Sequence, residues 1–340
     1  MKRLLAVVIL GFSVGLVPLA AQTPSPSKPQ TQERESSPPP ALPLQLQALS
    51  PGFWNLISRN ALPRVLATGF GFTEGPLWDR RGFLYVSDEI QNKVYRIDAN
   101  GSKTTVISLG IPDGNTYNQQ HQLIDCATVL RAVILINPDK GTYQVLADRY
   151  EGKPLDAPND IVQGPDGALY FTDDTLALGR APGEGFGTMQ PTQPSTGVYR
   201  LAPDGHLSLL TKGMTQPNGI AFSPDGKLLY VNDTVEHNIR AFDFHDGAIS
   251  NGRIFGIEPP ERGKPGAPDG MKTDQRGDVW VSGPGGIWVW SPAGQHLGTI
   301  QFPHGATNFG WGGPGFKTLY VAAGHTVYML PTQVEGFVPY

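Results

Sequence analysis

The sequence predicts an all-β fold, a six-bladed β-propeller with a metal site on its axis. Three observations predict it. A turn glycine followed by a strand phrase recurs along the chain, at Phe83–Ser87, Ala168–Thr172, Leu228–Asn232, Asp278–Ser282 and Thr318–Ala322. A second strand, closed by its own hairpin turn, follows most of these phrases. Four short segments carry a carboxylate or an amide just ahead of a strand: Thr73-Glu74-Gly75-Pro76, Ala157-Pro158-Asn159-Asp160, Gln216-Pro217-Asn218-Gly219 and Ala267-Pro268-Asp269-Gly270.

The N-terminus comes first in chain order. Lys2 and Arg3 precede an apolar run from Leu4 to Val17, and Ala20-Ala21 offers small residues for cleavage. That run is short for a membrane span, so residues 1–21 read as a secretory signal, with an uncleaved anchor as the alternative. The expected location is the periplasm or the exterior after cleavage near Ala21, with no stable membrane insertion of the mature chain. Residues 22–49 form a Pro/Ser/Gln-rich tract with little to bury and read as a flexible linker. The propeller is expected over residues 50–340. Gly11-Phe12-Ser13-Val14-Gly15 fits a nucleophile-elbow pattern, but it lies inside the signal and carries no chemistry.

The repeat spacing fixes the blade number. The turn glycines Gly82, Gly167, Gly226, Gly277 and Gly315 are separated by 85, 59, 51 and 38 residues. The first interval holds about two units, so roughly six units of about 47 residues span the folded part, the period of a four-stranded blade. Gln122–Cys126 is the weak strand of an irregular second blade, around Asn115–Arg131. Val94–Asp98, Val198–Leu201, Ile239–Phe242 and Ile287–Trp290 supply the second hairpins, each followed by a Gly-containing turn. The last unit has only Thr326–Leu330 after its second strand, so a strand near Arg64-Val65-Leu66 is expected to close the ring. The even repeat argues against a β-sandwich.

Each of the four polar segments precedes the innermost strand of its blade. Glu74, Asn159, Asn218 and Asp269 are therefore expected to converge at one mouth of the central tunnel. The ends of the second strands return there too: Asp88, Asp173, Asp174, Asn232, Asp233 and Ser282. Taken singly, Asn-Gly or Asp-Gly is a plain turn; four at matching positions argue for a shared site. Two carboxylates and two amide oxygens suit one divalent cation, Ca²⁺ first, with Mg²⁺, Mn²⁺ and Zn²⁺ as alternatives. Zinc sites favour closely spaced His or Cys, and the chain has no His-x-x-x-His pair.

These segments, in this order, resemble the senescence-marker-protein/gluconolactonase (regucalcin-like) family. The resemblance runs over residues 64–331. Gly71–Trp78, Ala157–Asp160, Gln216–Gly226 and Pro268–Met271 carry it, and Gly283–Trp288 is similar to the bacterial gluconolactonase-like members. It implies a propeller with one axial metal held by Glu74, Asn159, Asn218 and Asp269. It also implies hydrolysis of a lactone, or of another cyclic ester. Two departures stand out: blade two lacks a polar lead-in, and Ala157 stands where animal members have Arg.

In the implied reaction the cation polarises the lactone carbonyl, water attacks, and Asp269 takes the proton. Asp160 and Asp233 are the other candidate bases. His304 precedes the first strand of blade six and His325 follows its second, and His121 lies in the irregular blade; these three are the candidate substrate-binding histidines. A phosphotriesterase-like hydrolase and a non-catalytic Ca²⁺-stabilised binding propeller are the rival readings. The formal charge is −4, and −6 once Lys2 and Arg3 are lost with the signal, with no basic stripe; nucleic acid is excluded as a partner. Cys126 is the lone cysteine, so no intrachain disulfide forms.

Overall fold

A computed structural model describes residues 45–178 and 189–339. The expected signal peptide and most of the expected linker lie outside these residues. Six antiparallel sheets follow one another along the chain and form the blades of a propeller. Blade one is Thr73–Asp79, Phe83–Asp88, Lys93–Asp98 and Lys103–Ser108. Blade two is Pro112–Tyr117, Leu123–Ala127, Ala132–Asn137 and Thr142–Ala147. Blade three is Ala157–Gln163, Leu169–Asp174, Gly197–Leu201 and Leu207–Lys212. Blade four is Pro217–Phe222, Leu228–Asp233, Asn238–His245 and Ala248–Ile257. Blade five is Met271–Thr273, Val279–Gly283, Gly286–Trp290 and His296–Gln301. Blade six is Phe309–Gly312, Thr318–Ala323 and Thr326–Pro331, completed from the other end of the chain by Arg64–Thr68. The ring closure expected at Arg64–Leu66 is thus observed, with Arg64 opposite Met329.

Two expectations are corrected. Blade two is a complete four-stranded sheet, and Pro112-Asp113-Gly114 is its polar lead-in. The turn that follows it, Asn118–Gln122, carries His121 at φ 58° in place of a Pro-Asp-Gly turn, which disguised the repeat. Gln45–Ala48 lies in the expected linker, yet it pairs with His296–Gln301 as a fifth strand of blade five. Leu46 and Ala48 pack there against the core that Phe53, Leu56 and Ile57 enter fully buried.

The blades hold together through the apolar residues between them. The buried side chains gather into six clusters, one for each pair of neighbouring blades. Removing that much apolar surface from water is the main stabilising term in a chain with no disulfide. Inner strands are buried on both faces, as in Phe83–Asp88, whereas outermost strands such as Ala248–Ile257 are largely exposed. Aromatic pairs lock two of the junctions: Trp280 meets Trp311 edge-on at 5.1 Å, and Trp78 stacks on Tyr320 at 5.1 Å. The C-terminal segment Phe337–Pro339 closes over an axial cavity of about 40 Å³ lined by inner-strand residues.

Candidate metal centre

Four of the six inner strands begin with an irregularity in their pairing. In blades two, three and four, Pro112, Pro158 and Pro217 pair with Ala127, Asp173 and Asp233, and regular pairing resumes three residues later. In blade one Thr73 and Glu74 face Asp88 and Ser87, and pairing resumes at Leu77. The bulge turns the next residue out of the ladder, a common device next to active sites. That residue is Asp113, Asn159 or Asn218; Glu74 is the last paired residue before the shift in blade one, and in blade five Asp269 stands two residues ahead of a regularly paired inner strand. Five blades therefore supply a polar group, one more than the sequence showed.

A ring of hydrogen bonds holds these segments in place. Thr128 Oγ1 donates to the Pro158 carbonyl at 2.9 Å, and Thr172 Oγ1 to that of Asn218 at 2.8 Å. Asn232 Nδ2 donates to the Asp269 carbonyl, and Ser282 Oγ to that of Thr307, both at 2.5 Å. Thr307 Oγ1 donates to the Thr73 carbonyl at 2.8 Å, and Asn115 Nδ2 to that of Gly75 at 2.9 Å, which completes the circle. The approach is close enough to require glycine. A Cβ on Gly219 would strike the Asp269 carbonyl, and one on Gly270 would strike Asn308.

At the centre, Glu74, Glu89 and Asp113 each bring a carboxylate oxygen within 4.8 Å of the other two, and all three are buried. Burial first, then Glu89, Glu74, Asp269 and Asp160 nearby, pushes the Asp113 carboxyl well above the usual range. Burial, then Glu74, Glu89 and Asp160, does the same to Asp269, opposed by a hydrogen bond from Asn218. Burial raises Glu74 to about 7, although hydrogen bonds from Asn308 and the Gly75 N–H pull it down. Asn218 is buried and its Oδ1 has no protein partner. A crowded set of desolvated oxygens with an orphaned amide oxygen fits a hard divalent cation.

The structure places the remaining candidates differently. Asn159 is half-buried at the matching bulge position. Asp160 is one step deeper, with Oδ2 3.5 Å from Lys272 Nζ. Asp233 is engaged by its own loops: its carboxylate accepts from the backbone N–H groups of Thr215, Gln216, Val235 and Glu236. Asp88 and Asp173 do the same for Gly71, Phe72 and Gln91, and for Asp156 and Ala157. These strand-end aspartates organise loops. His121 is also corrected: it sits in the turn between the first two strands of blade two, at the end away from the mouth, stacked on Tyr117 at 4.0 Å. His304 and His325 are exposed on mouth-side loops of blade six, and His325 Nδ1 lies 2.9 Å from the Phe70 carbonyl oxygen. Sequence reasoning missed Asp113 and Glu89. Pro112-Asp113-Gly114 repeats the wording of Pro268-Asp269-Gly270 and was the available signal for the first; Glu89 had none.

A family model described as the SMP-30/Gluconolactonase/LRE-like region matches residues 72–325. The chain is 32% identical over 295 residues to a gluconolactonase of Zymomonas mobilis, covering 80% of this chain and 82% of that protein. It is 27% identical over 269 residues to a pentonolactonase of Haloferax volcanii, covering 76% and 83%. The solved structure of a gluconolactonase from Xanthomonas campestris matches with a TM-score of 0.79 at 31% identity, covering 88% of this chain and 99% of that one. The match spans all five lead-in segments that build the acidic centre, and the chain belongs to the SMP-30/gluconolactonase family.

Proposed function

We propose that the chain hydrolyses a sugar lactone at the axial centre with one divalent cation bound, Ca²⁺ in preference to Mg²⁺, Mn²⁺ or Zn²⁺. The observation that carries this is the buried oxygen set of Glu74, Glu89 and Asp113 beside the unpartnered Asn218 oxygen. Glu74, Asn218 and Asp269 would hold the cation, with Asn159 at the matching position of blade three. Glu89 and Asp113 add negative charge against Glu74. An oxygen-only set without His or Cys suits Ca²⁺ better than Zn²⁺. Bound there, the cation supplies Lewis acidity to the lactone carbonyl.

The chain's own residues account for the rest. Asp269 retains exposure at the mouth, where it takes a proton from the water that attacks the carbonyl carbon. The ring C–O bond then breaks, and the proton passes to the leaving alkoxide to give a hydroxy acid. Burial and the neighbouring carboxylates raise the proton affinity of Asp269, which favours that role. Asn218 donates to the Asp269 carboxylate and so orients it. His304 and His325 are the mouth-side side chains placed to meet a substrate's hydroxyls. The lactone activities of the relatives support this reading over a phosphotriesterase or a binding-only propeller.

The test is acid release from gluconolactone, a pentonolactone and an aryl ester, with and without EDTA. Lactone turnover that EDTA removes and Ca²⁺ restores is expected, with a lower thermal midpoint in EDTA. Turnover unaffected by chelation would overturn the metal-dependent step. We also propose export to the periplasm or the exterior; cell fractionation that leaves the protein in the cytoplasm at full length would refute it.

A further inference from the structure

The floor of the axial site contains one cation of the protein's own. Lys272 is on the inner strand of blade five, three residues after Asp269. Its side chain is mostly buried. Its Nζ lies 3.5 Å from Asp160 Oδ2 of blade three and 3.4 Å from Asn308 Oδ1 of blade six. Blades three and six face each other across the ring, so this side chain spans the axis. Asp160 Oδ2 has no hydrogen-bond partner and is buried. In four blades the residue after the polar lead-in is glycine (Gly75, Gly114, Gly219 and Gly270). Asp160 and Asn308 are the two side chains at that level, and Lys272 connects them.

Asn308 links this bridge to the cation site. Its Oδ1 accepts from Lys272 and, at 2.8 Å, from the Phe309 N–H. With the oxygen committed to those donors, the amide nitrogen is left to face Glu74, whose carboxylate accepts a hydrogen bond from it. The geometry points to Lys272 as a positioning residue. Together with the Phe309 N–H it fixes which way the Asn308 amide faces, and so presets Glu74 for the cation. The inference rests on the reading that Glu74 is a cation ligand, and it goes beyond that reading by assigning the floor.

The sign of the effect separates this role from simple charge. Removing a lysine from a site crowded with carboxylates should, by Coulomb attraction alone, tighten cation binding. Loss of positioning weakens it, since residues that orient a ligand are each worth about 10- to 100-fold in metal affinity. Ca²⁺ and Mn²⁺ affinity would be measured by titration calorimetry on the purified wild type, Lys272→Met and Asn308→Leu. Thermal unfolding in EDTA checks that each variant is folded. At least a tenfold loss is expected in each variant, and the double variant should lose little more than either single one, because both act through the same contact. Lys272→Arg, which keeps a donor on Asn308, should recover part of the loss. If Lys272→Met does not fold, Asn308→Leu alone decides: unchanged affinity there overturns the proposal. Unchanged or tighter binding by a folded Lys272→Met overturns it as well and leaves the cation site standing. No binding by the wild type overturns both.

Discussion

At the scale of single residues, carboxylates of similar sequence context do different work, and their partners decide which. Asp269 is near the acidic centre and accepts one side-chain hydrogen bond; Asp233 is saturated by four backbone N–H groups. Asp269→Asn should therefore lower lactone turnover by about 10²–10⁴-fold with little change in the thermal midpoint measured in EDTA. Asp233→Ala should do the reverse, losing about 1–3 kcal/mol of stability while each folded molecule still turns over substrate. Parallel melting curves and initial rates check the pair; wild-type rates in Asp269→Asn would remove it from the chemistry. Asp79 supplies the pH dependence. Burial alone would raise its carboxyl, but hydrogen bonds from Arg81 and the Tyr117 hydroxyl outweigh that and hold it at about 2. An unfolded aspartate titrates near 4. The stabilisation is thus present above about pH 4 and lost as pH falls through about 2, on the order of 1 kcal/mol after allowance for the exposed Arg81. Asp79→Asn should flatten that part of the acid-stability curve; an identical slope in both proteins would contradict it.

At the scale of elements, the lead-in at the head of the inner strand, bulged in blades one to four, is the functional unit. It places one residue per blade toward the axis, and a hydroxyl or amide from the neighbouring blade holds the bulge in position. Thr172→Val removes one such clamp at nearly constant volume and leaves the Asn218 carbonyl short of a donor. It should lower stability by about 1–3 kcal/mol and weaken cation binding in the same variant. Calorimetric titration alongside thermal unfolding reads both; unchanged affinity would show that the clamp serves stability alone. This scale also explains what was legible. Four lead-ins were visible because a proline or Thr-Glu pair precedes a regular strand and a glycine turn. The fifth, at Asp113, has the lead-in but not the usual turn, so its blade looked irregular although its strands pair normally.

At the scale of the molecule, the ring is closed from the N-terminal side. Arg64–Thr68 completes blade six, and the segment ahead of it buries Phe53, Leu56 and Ile57 against blades five and six. A chain beginning at residue 58 should remain folded but melt at a lower temperature, since each lost side chain removes about 1.5–3 kcal/mol of apolar burial. A chain beginning at residue 70 leaves Thr326–Pro331 with an open edge and should aggregate. Soluble yield and thermal midpoint across the two truncations check this; full stability of the shorter chain would rule out closure by Arg64–Thr68.

The sequence by itself determined the blade number and the closure of the ring, and it singled out Glu74, Asn159, Asn218 and Asp269 as candidates, because turn chemistry and strand period are local. Tertiary structure alone decided three things. It brought Glu89 and Asp113 to Glu74, from different strands and blades. It gave Asp233 to its loop and sent His121 to the far end of the tunnel, since a side chain's partners depend on where a neighbouring segment returns. And it laid Lys272 across the axis between Asp160 and Asn308, residues 148 positions apart in the chain.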